Sequence, residues 1–219
     1  MTPADSYKKQ SYHGFEQGPI RPPSEAASLL IRVTRNCPWN RCTFCPVYKG
    51  EKFSLRPVEH IIADIDRIQH FISLLHNELD NSDRMALSAA SSWIHNGMRS
   101  VFLQDANSLI IKPDDLITIL RHLKGCFPKI ERITSYARSH TISRIKQEKL
   151  IEMHNSGLNR IHIGMESGSD KVLMLVKKGS SKKDHIEAGL KVKKAGLELS
   201  EYVMTGLGGK VFSQEHARE

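Results

Sequence analysis

Three of the four cysteines in this 219-residue chain fall within one short stretch, Cys37, Cys42 and Cys45, spaced Cys-x4-Cys-x2-Cys. Thiols at this density point to metal. Four cysteines hold each ordinary iron–sulfur cluster, and four ligands close a structural zinc site. Three thiolates on a four-iron cubane leave one iron with an open coordination position, where a substrate or cofactor can bind the metal directly. The remaining cysteine, Cys126, lies near the end of a predicted helix and reads as a buried, small apolar side chain. The same three cysteines also allow zinc, with His13 or His60 as the fourth ligand. A disulfide fits poorly. The start, Met1-Thr2-Pro3-Ala4-Asp5-Ser6, lacks the apolar core of a secretory signal, so reduced thiols and a cytoplasmic location are expected.

The Cys42-Thr43-Phe44-Cys45 segment, with an aromatic residue before its last cysteine, resembles the radical S-adenosylmethionine (radical SAM) superfamily. The usual spacing there has three residues between the first two cysteines; this chain has four, Pro38 to Arg41. The resemblance runs from about Leu29 to the C-terminus. Ile163-Gly164-Met165-Glu166-Ser167-Gly168-Ser169-Asp170, followed by Val172-Leu173 and Lys178-Gly179, closely resembles a signature of one branch. That branch includes the oxygen-independent coproporphyrinogen oxidases and the methylthiotransferases.

The resemblance implies an enzyme with two cofactors, a [4Fe–4S] cluster on Cys37, Cys42 and Cys45 and SAM on the fourth iron. Reductive cleavage of SAM then yields a 5′-deoxyadenosyl radical that abstracts hydrogen from a substrate the sequence does not identify. A flavodoxin- or ferredoxin-like reductant is the implied partner. Glu166 and Ser167 lie along the SAM site in that branch; a carboxylate there can accept from ribose hydroxyls or an ammonium group. By position, Asp105 and Asn107 stand where the family has a glycine-rich turn meeting the amino group of SAM, and either that role or a strand-end turn with an Asx cap fits them. Ser135 and Arg138 sit at a strand end where related enzymes place SAM-contacting groups. Phe44 is expected near the adenine, as is the glycine-rich loop at Gly206. Two other readings stay open: a zinc- and polyanion-binding module without catalysis, and a family member that keeps the cluster but not the chemistry.

These residues need a frame to hold them. Short apolar runs at Leu29–Thr34, Ser100–Leu103, Ile130–Tyr136, Arg160–Glu166 and Leu197–Met204 alternate with amphipathic stretches. One such stretch opens at Pro57, with Val58, Ile61, Ile62, Ile65, Ile68, Ile72 and Leu75 at helical spacing. Others run from Asp83 to His95, from Pro113 to Gly125, from after Arg138 to Ser156, and from Ser181 to Ala195. The pattern predicts an α/β fold, a partial parallel (β/α) barrel of about five units, in which ligands collect at the C-terminal strand ends. Residues 1–28 are polar and interrupted by Gly14, Gly18, Pro19, Pro22 and Pro23; they read as an N-terminal arm before a core domain over 29–219. The family core has six units. The expectation is therefore that the last unit is missing and that the chain by itself is poorly soluble or weakly active.

Composition adds bounds. Hydrophobic residues make up 39% and charged residues 26%, as in ordinary globular domains, and no run is long enough to span a membrane. The net charge of +8 concentrates at Lys171, Lys177, Lys178, Lys182, Lys183, Lys191, Lys193 and Lys194. With little aromatic surface interleaved for stacking bases, this reads as the solvated side of two helices in preference to a nucleic-acid face.

Overall fold

The computed structural model describes residues 10–74 and 83–219. Leu75 and the polar break at 77–82 lie outside the described residues. A five-stranded parallel sheet is built from β1 (Leu29–Arg32), β4 (Ser100–Gln104), β5 (Arg132–Tyr136), β6 (Leu158–Glu166) and β7 (Glu198–Val203), in that spatial order. Each parallel neighbour requires a crossover. These are α1 (Val58–Leu74) with α2 (Arg84–His95), α3 (Pro113–Cys126), α4 (Ser139–Ile142) with α5 (Gln147–Asn155), and α6 (Asp170–Leu175) with α7 (Lys182–Lys194). Because spatial order follows chain order, right-handed crossovers all step the same way and stack their helices on one face. Accordingly α1 packs on α3, α3 on α5 and α5 on α7. This is barrel winding that stops short of closure, with β1 and β7 as the two edges.

Strand alternation divides the side chains. Leu29, Ile31, Val101, Leu103, Ile133, Ile161 and Ile163 point to the helices and join Ile61, Ile65 and Ile68 of α1 with Leu116, Leu120 and Leu123 of α3 in one buried core. Each such side chain contributes about 2 kcal/mol of burial. The concave face is different in kind. An aromatic row crosses it, Phe102 to Tyr136 to His162 to Tyr202, with ring centroids 5.0, 5.8 and 5.7 Å apart.

The N-terminal stretch does not extend away from the core. From Gln10 onward it packs against the sheet. Glu16 bridges Arg32, Arg35 and Arg56. Gln104 at the end of β4 accepts from Gly18 N and donates to the Ile20 carbonyl. A short 3-10 turn, Pro23–Glu25, puts a carboxylate with no solvent exposure against the concave face. There Glu25 meets Ser28 Oγ at 2.5 Å, His162 Nε2 at 3.5 Å and Arg132 at 3.7 Å. Burial pushes the Glu25 carboxyl up, but the nearby His162, Ser28 and Thr134 side chains and the charge of Arg132 together hold it below the usual carboxylate range.

Several expected elements shift in detail. The helix expected to reach Ser156 is two, α4 and α5. On one ideal helix Ile145 and Leu150 would lie about 140° apart; the break at 143–146 lets both be buried with Ile142. Cys126 ends α3 and is only half-buried, with its Sγ 3.5 Å from His122 Nε2, so it is not a core residue. The last segment forms a ten-residue helix, α8 (Gly209–Arg218), which packs on α6. The lysines of 171–194 do not make one basic face. Lys178 turns into a cavity, Lys171 pairs with Glu215, Lys182 with Glu219, and Lys191 donates to the Ile145 carbonyl. Among the described residues no helix is long and apolar enough to cross a membrane.

Candidate active site

The cysteines sit in the connection between β2 (Thr34–Arg35) and β3 (Ser54–Leu55), a two-stranded antiparallel ribbon just beyond β1. Asn36 and Asn40 flank Cys37 with φ of 67° and 46°. Asparagine tolerates this left-handed region, which turns the chain sharply on both sides of the first thiol. Cys37 Sγ accepts from Asn40 N at 3.4 Å.

Two anchors hold the loop. The first is Asp105, fully buried at the end of β4. Its carboxylate accepts from Arg32 Nη2 at 2.9 Å, from the backbone N of Asn36 at 3.0 Å and from the Tyr48 hydroxyl. One side chain thus ties the entry and exit of the cysteine loop to the sheet. Burial and this carboxylate push the Tyr48 phenol far up, so it stays a donor. The second anchor lies across the cavity at the end of α6. Thr43 N donates to the Val176 carbonyl at 3.0 Å, and Trp39 Nε1 donates to the Lys177 carbonyl at 2.7 Å. The Trp39 ring also lies 5.1 Å from the guanidinium of Arg138 and rests on Gly179, where a Cβ would come within 2.3 Å of it. Trp39 belongs to the four-residue spacer that makes the cysteine motif longer than usual.

Between the anchors, at the C-terminal strand ends, is a cavity of about 240 Å³. All three loop cysteines line it, with Phe44, Arg138, Glu166 and Lys178. Glu166 is turned inward by a register shift between Gly164 and Glu166 in the β6–β7 pairing and by its own φ of 68°. A glutamate in that region costs on the order of 1 kcal/mol or more, a strain that clusters at functional sites. It pairs with Lys178 Nζ at 3.1 Å. Gly164 leaves the space: a Cβ there would lie 2.5 Å from the Glu166 carboxylate and 3.0 Å from Lys178 Nζ. Ser169 caps α6 by accepting from Val172 N, so Glu166 is not spent on the cap. Arg138 donates to the carbonyls of Lys178 and Gly179.

Four of the polar residues singled out in the sequence are absent from this lining. Asp105 is the anchor just described. Asn107 is buried, donating to Thr141 Oγ1 and accepting from Arg138 N. Ser135 Oγ is buried against the carbonyls of Leu103 and Tyr136. Ser167 Oγ is within 2.8 Å of His216 Nδ1 and accepts from Ser169 N. Gly206, with φ of 77°, lies in the turn after β7 outside the lining. Conversely, sequence reasoning passed over Trp39, Tyr48 and Tyr202, and named Lys178 only within the branch signature and among the clustered lysines. The length of the cysteine spacer was the one hint of Trp39.

Do these groups fit an iron–sulfur cluster? Burial is the largest influence on the Cys42 thiol and pushes it up; Lys178 and Arg138 pull it down, and Cys37 and Cys45 push it up again. Two cations thus already face the sulfurs they would have to neutralise. The lining contains no histidine and no fourth cysteine. His13 and His60, considered above as zinc ligands, line a separate cavity with Arg56, and His60 packs on Tyr12. Three soft ligands, balanced charge and no fourth protein ligand suit a cluster with an open corner, and a closed zinc site finds no partner here.

A family model described as the radical SAM superfamily matches residues 31–218. The chain belongs to the radical SAM superfamily. Members of this superfamily use a [4Fe–4S] cluster and SAM. Among curated radical SAM relatives, the chain is 31% identical over 170 residues to the tRNA-2-methylthio-N(6)-dimethylallyladenosine synthase of Hahella chejuensis, covering 75% of this chain and 32% of that protein. It is 22% identical over 191 residues to the heme chaperone HemW of Buchnera aphidicola, covering 84% and 43%. The chain therefore spans about a third to two-fifths of the length of these relatives. In fold it is similar to the radical SAM methyltransferase TsrM from Kitasatospora setae, a structure with cobalamin and a [4Fe–4S] cluster bound (TM-score 0.53, 15% identity, 80% of this chain and 30% of that one).

Proposed function

We propose that this chain binds a [4Fe–4S] cluster through Cys37, Cys42 and Cys45 and cleaves SAM reductively to start hydrogen abstraction from a substrate. The observation that carries this reading is the single cavity at the strand ends lined by three thiols, with no fourth cysteine or histidine among its walls. When bound, the cluster supplies the electron that splits the sulfur–carbon bond of SAM, giving methionine and a 5′-deoxyadenosyl radical. The chain's own residues do the rest. Arg138 and Lys178 offset the thiolate charge. Glu166, held inward, accepts hydrogen bonds from the ribose hydroxyls or the ammonium of SAM. Phe44 gives an apolar wall for the adenine and keeps water from the reacting carbon. Asp105, Asn107, Ser135 and Ser167 are positioning residues that fix the loops around the cavity. Gly206, with its positive φ, lets the chain turn sharply after β7. A flavodoxin- or ferredoxin-like protein supplies the electron, and the substrate enters beside Tyr202 on β7.

Anaerobic reconstitution tests the proposal. About four irons per chain are expected, together with 5′-deoxyadenosine on reduction in the presence of SAM. Cys42→Ala should lower the iron content and abolish 5′-deoxyadenosine. Full iron loading without any SAM cleavage would reduce the chain to a cluster carrier.

A further inference from the structure

We infer a second metal site, for one divalent ion of the zinc type, formed by Asp66, His122 and Cys126 where α1 packs on α3. Their ligand atoms all lie within 4.8 Å of one another. His122 and Cys126 are one helical turn apart on a single face of α3. Asp66 reaches them from α1, and the α1–α3 packing that brings it there is set by the buried Ile65, Ile68, Leu120 and Leu123.

The distances suit a shared centre. Zinc bonds of about 2.3 Å to sulfur and about 2.05 Å to nitrogen give a tetrahedral S···N edge of about 3.6 Å; the S···O and N···O edges follow at about 3.6 and 3.4 Å. Cys126 Sγ lies 3.5 Å from His122 Nε2 and 4.0 Å from Asp66 Oδ1. The third edge, His122 Nε2 to Asp66 Oδ1, is 2.6 Å. That is the length of a hydrogen bond through a proton that an ion would replace. The aspartate side chain is 54% exposed and free to rotate by the roughly 0.8 Å that widening this edge to a zinc-bound N···O distance requires.

A cysteine–histidine–aspartate nucleophile is the competing reading of these three residues. It needs the two ring nitrogens to face different partners, one the thiol and one the carboxylate. Here both contacts run through Nε2. One nitrogen facing both other ligands defines a common point and leaves no relay. Mixed thiolate, imidazole and carboxylate donors select zinc-like ions over magnesium or calcium, which take oxygen. The site also stands at the C-terminus of α3, whose final residue is Cys126 and where aligned backbone carbonyls favour a cation. In a parallel βα unit that end of the helix returns to the start of the next strand, so the ion would sit at the pole opposite the cysteine cavity. It would staple α1 to α3, with water in the fourth position, and take no part in SAM chemistry.

Cobalt is the probe. In the full chain carrying Cys37→Ala, Cys42→Ala and Cys45→Ala, titration with Co²⁺ should give a one-to-one thiolate charge-transfer band and tetrahedral visible bands, bleached by Zn²⁺. Adding Cys126→Ser or His122→Ala should weaken cobalt binding at least ten-fold. In the unmutated, cluster-loaded protein, Zn²⁺ should slow alkylation of Cys126 by iodoacetamide, read by peptide mass. This arm is independent of the folding of the cysteine variants and of whether SAM is cleaved. Cobalt spectra unchanged by Cys126→Ser, or Cys126 alkylated at the same rate with and without zinc, would overturn the inference.

Discussion

Single residues in this molecule divide sharply between those that face the cavity and those that hold its walls. Asp105 illustrates the second kind. It accepts from Arg32, from the Asn36 backbone and from Tyr48, with no exposure. Removing one member of a buried charged pair costs about 3–5 kcal/mol, because the partner is left unpaired. Asp105→Ala should therefore lower the urea midpoint and, by freeing both ends of the cysteine loop, reduce iron loading. Tyr48→Phe, which deletes one hydrogen bond, should cost only about 1 kcal/mol. Equal losses from the two variants would argue against Asp105 as the hub. His185 makes a prediction about acid. Burial, with Lys178 nearby, lowers its pKa from 6.5 to about 4, and neither ring nitrogen has a hydrogen-bond partner. Between those values the unfolded chain binds the proton and the folded chain does not, so stability falls as pH drops from about 6.5 toward 4. Melting temperatures across that range should show the decline, and His185→Leu should flatten it.

Among the elements, the cysteine loop and the end of α6 behave as one unit. The spacer residue Trp39 donates to the Lys177 carbonyl, stacks near Arg138 and fills the space that Gly179 leaves open. Gly179 has a φ of 67°, so a side chain there is strained as well as obstructed. Trp39→Ala and Gly179→Ala should thus have the same effect by opposite routes, one removing the latch and the other its seat. Both should speed proteolytic cleavage within residues 36–53 and lower SAM affinity several-fold, with the urea midpoint little changed. A fall in global stability as large as that of Asp105→Ala would show Trp39 to be a core residue instead. The alternation that defines the sheet was readable from the chain, because apolar periodicity and helix punctuation are local. The split of α4 from α5 was not, because it answers to which side chains the sheet must bury.

For the whole molecule, the open concave face is the defining problem, and the N-terminal segment is part of its solution. Glu25 fills the space beneath the aromatic row and meets His162 and Arg132. Glu25→Ala should destabilise the chain by about 1–3 kcal/mol, since it removes the carboxylate that faces buried His162 and partners the Ser28 hydroxyl and the partly exposed Arg132. Glu25→Gln, which keeps the shape, should cost less. Urea unfolding of the two variants checks the order, and an Ala variant as stable as the parent would show the segment to be a bystander. The Glu25 carboxyl is held below its ordinary range, so its contribution is present above that range and lost as pH falls through the folded value.

Read alone, the sequence determined the class of fold, the strand order that follows from regular βα alternation, and the family, because these rest on local periodicity and on thiols close together in the chain. It also pointed to Phe44, Arg138 and Glu166, which the fold brings to the same cavity as the cysteines. Only the tertiary structure decided which polar residues at the strand ends turn inward. Asp105, Asn107, Ser135 and Ser167 share their residue types with ligand-contacting groups, yet each is satisfied by its own chain. Whether a side chain at a strand end meets ligand or backbone depends on bulges, on backbone angles such as that of Glu166, and on contacts between segments far apart in the chain. None of these leaves a periodic trace in the order of residues.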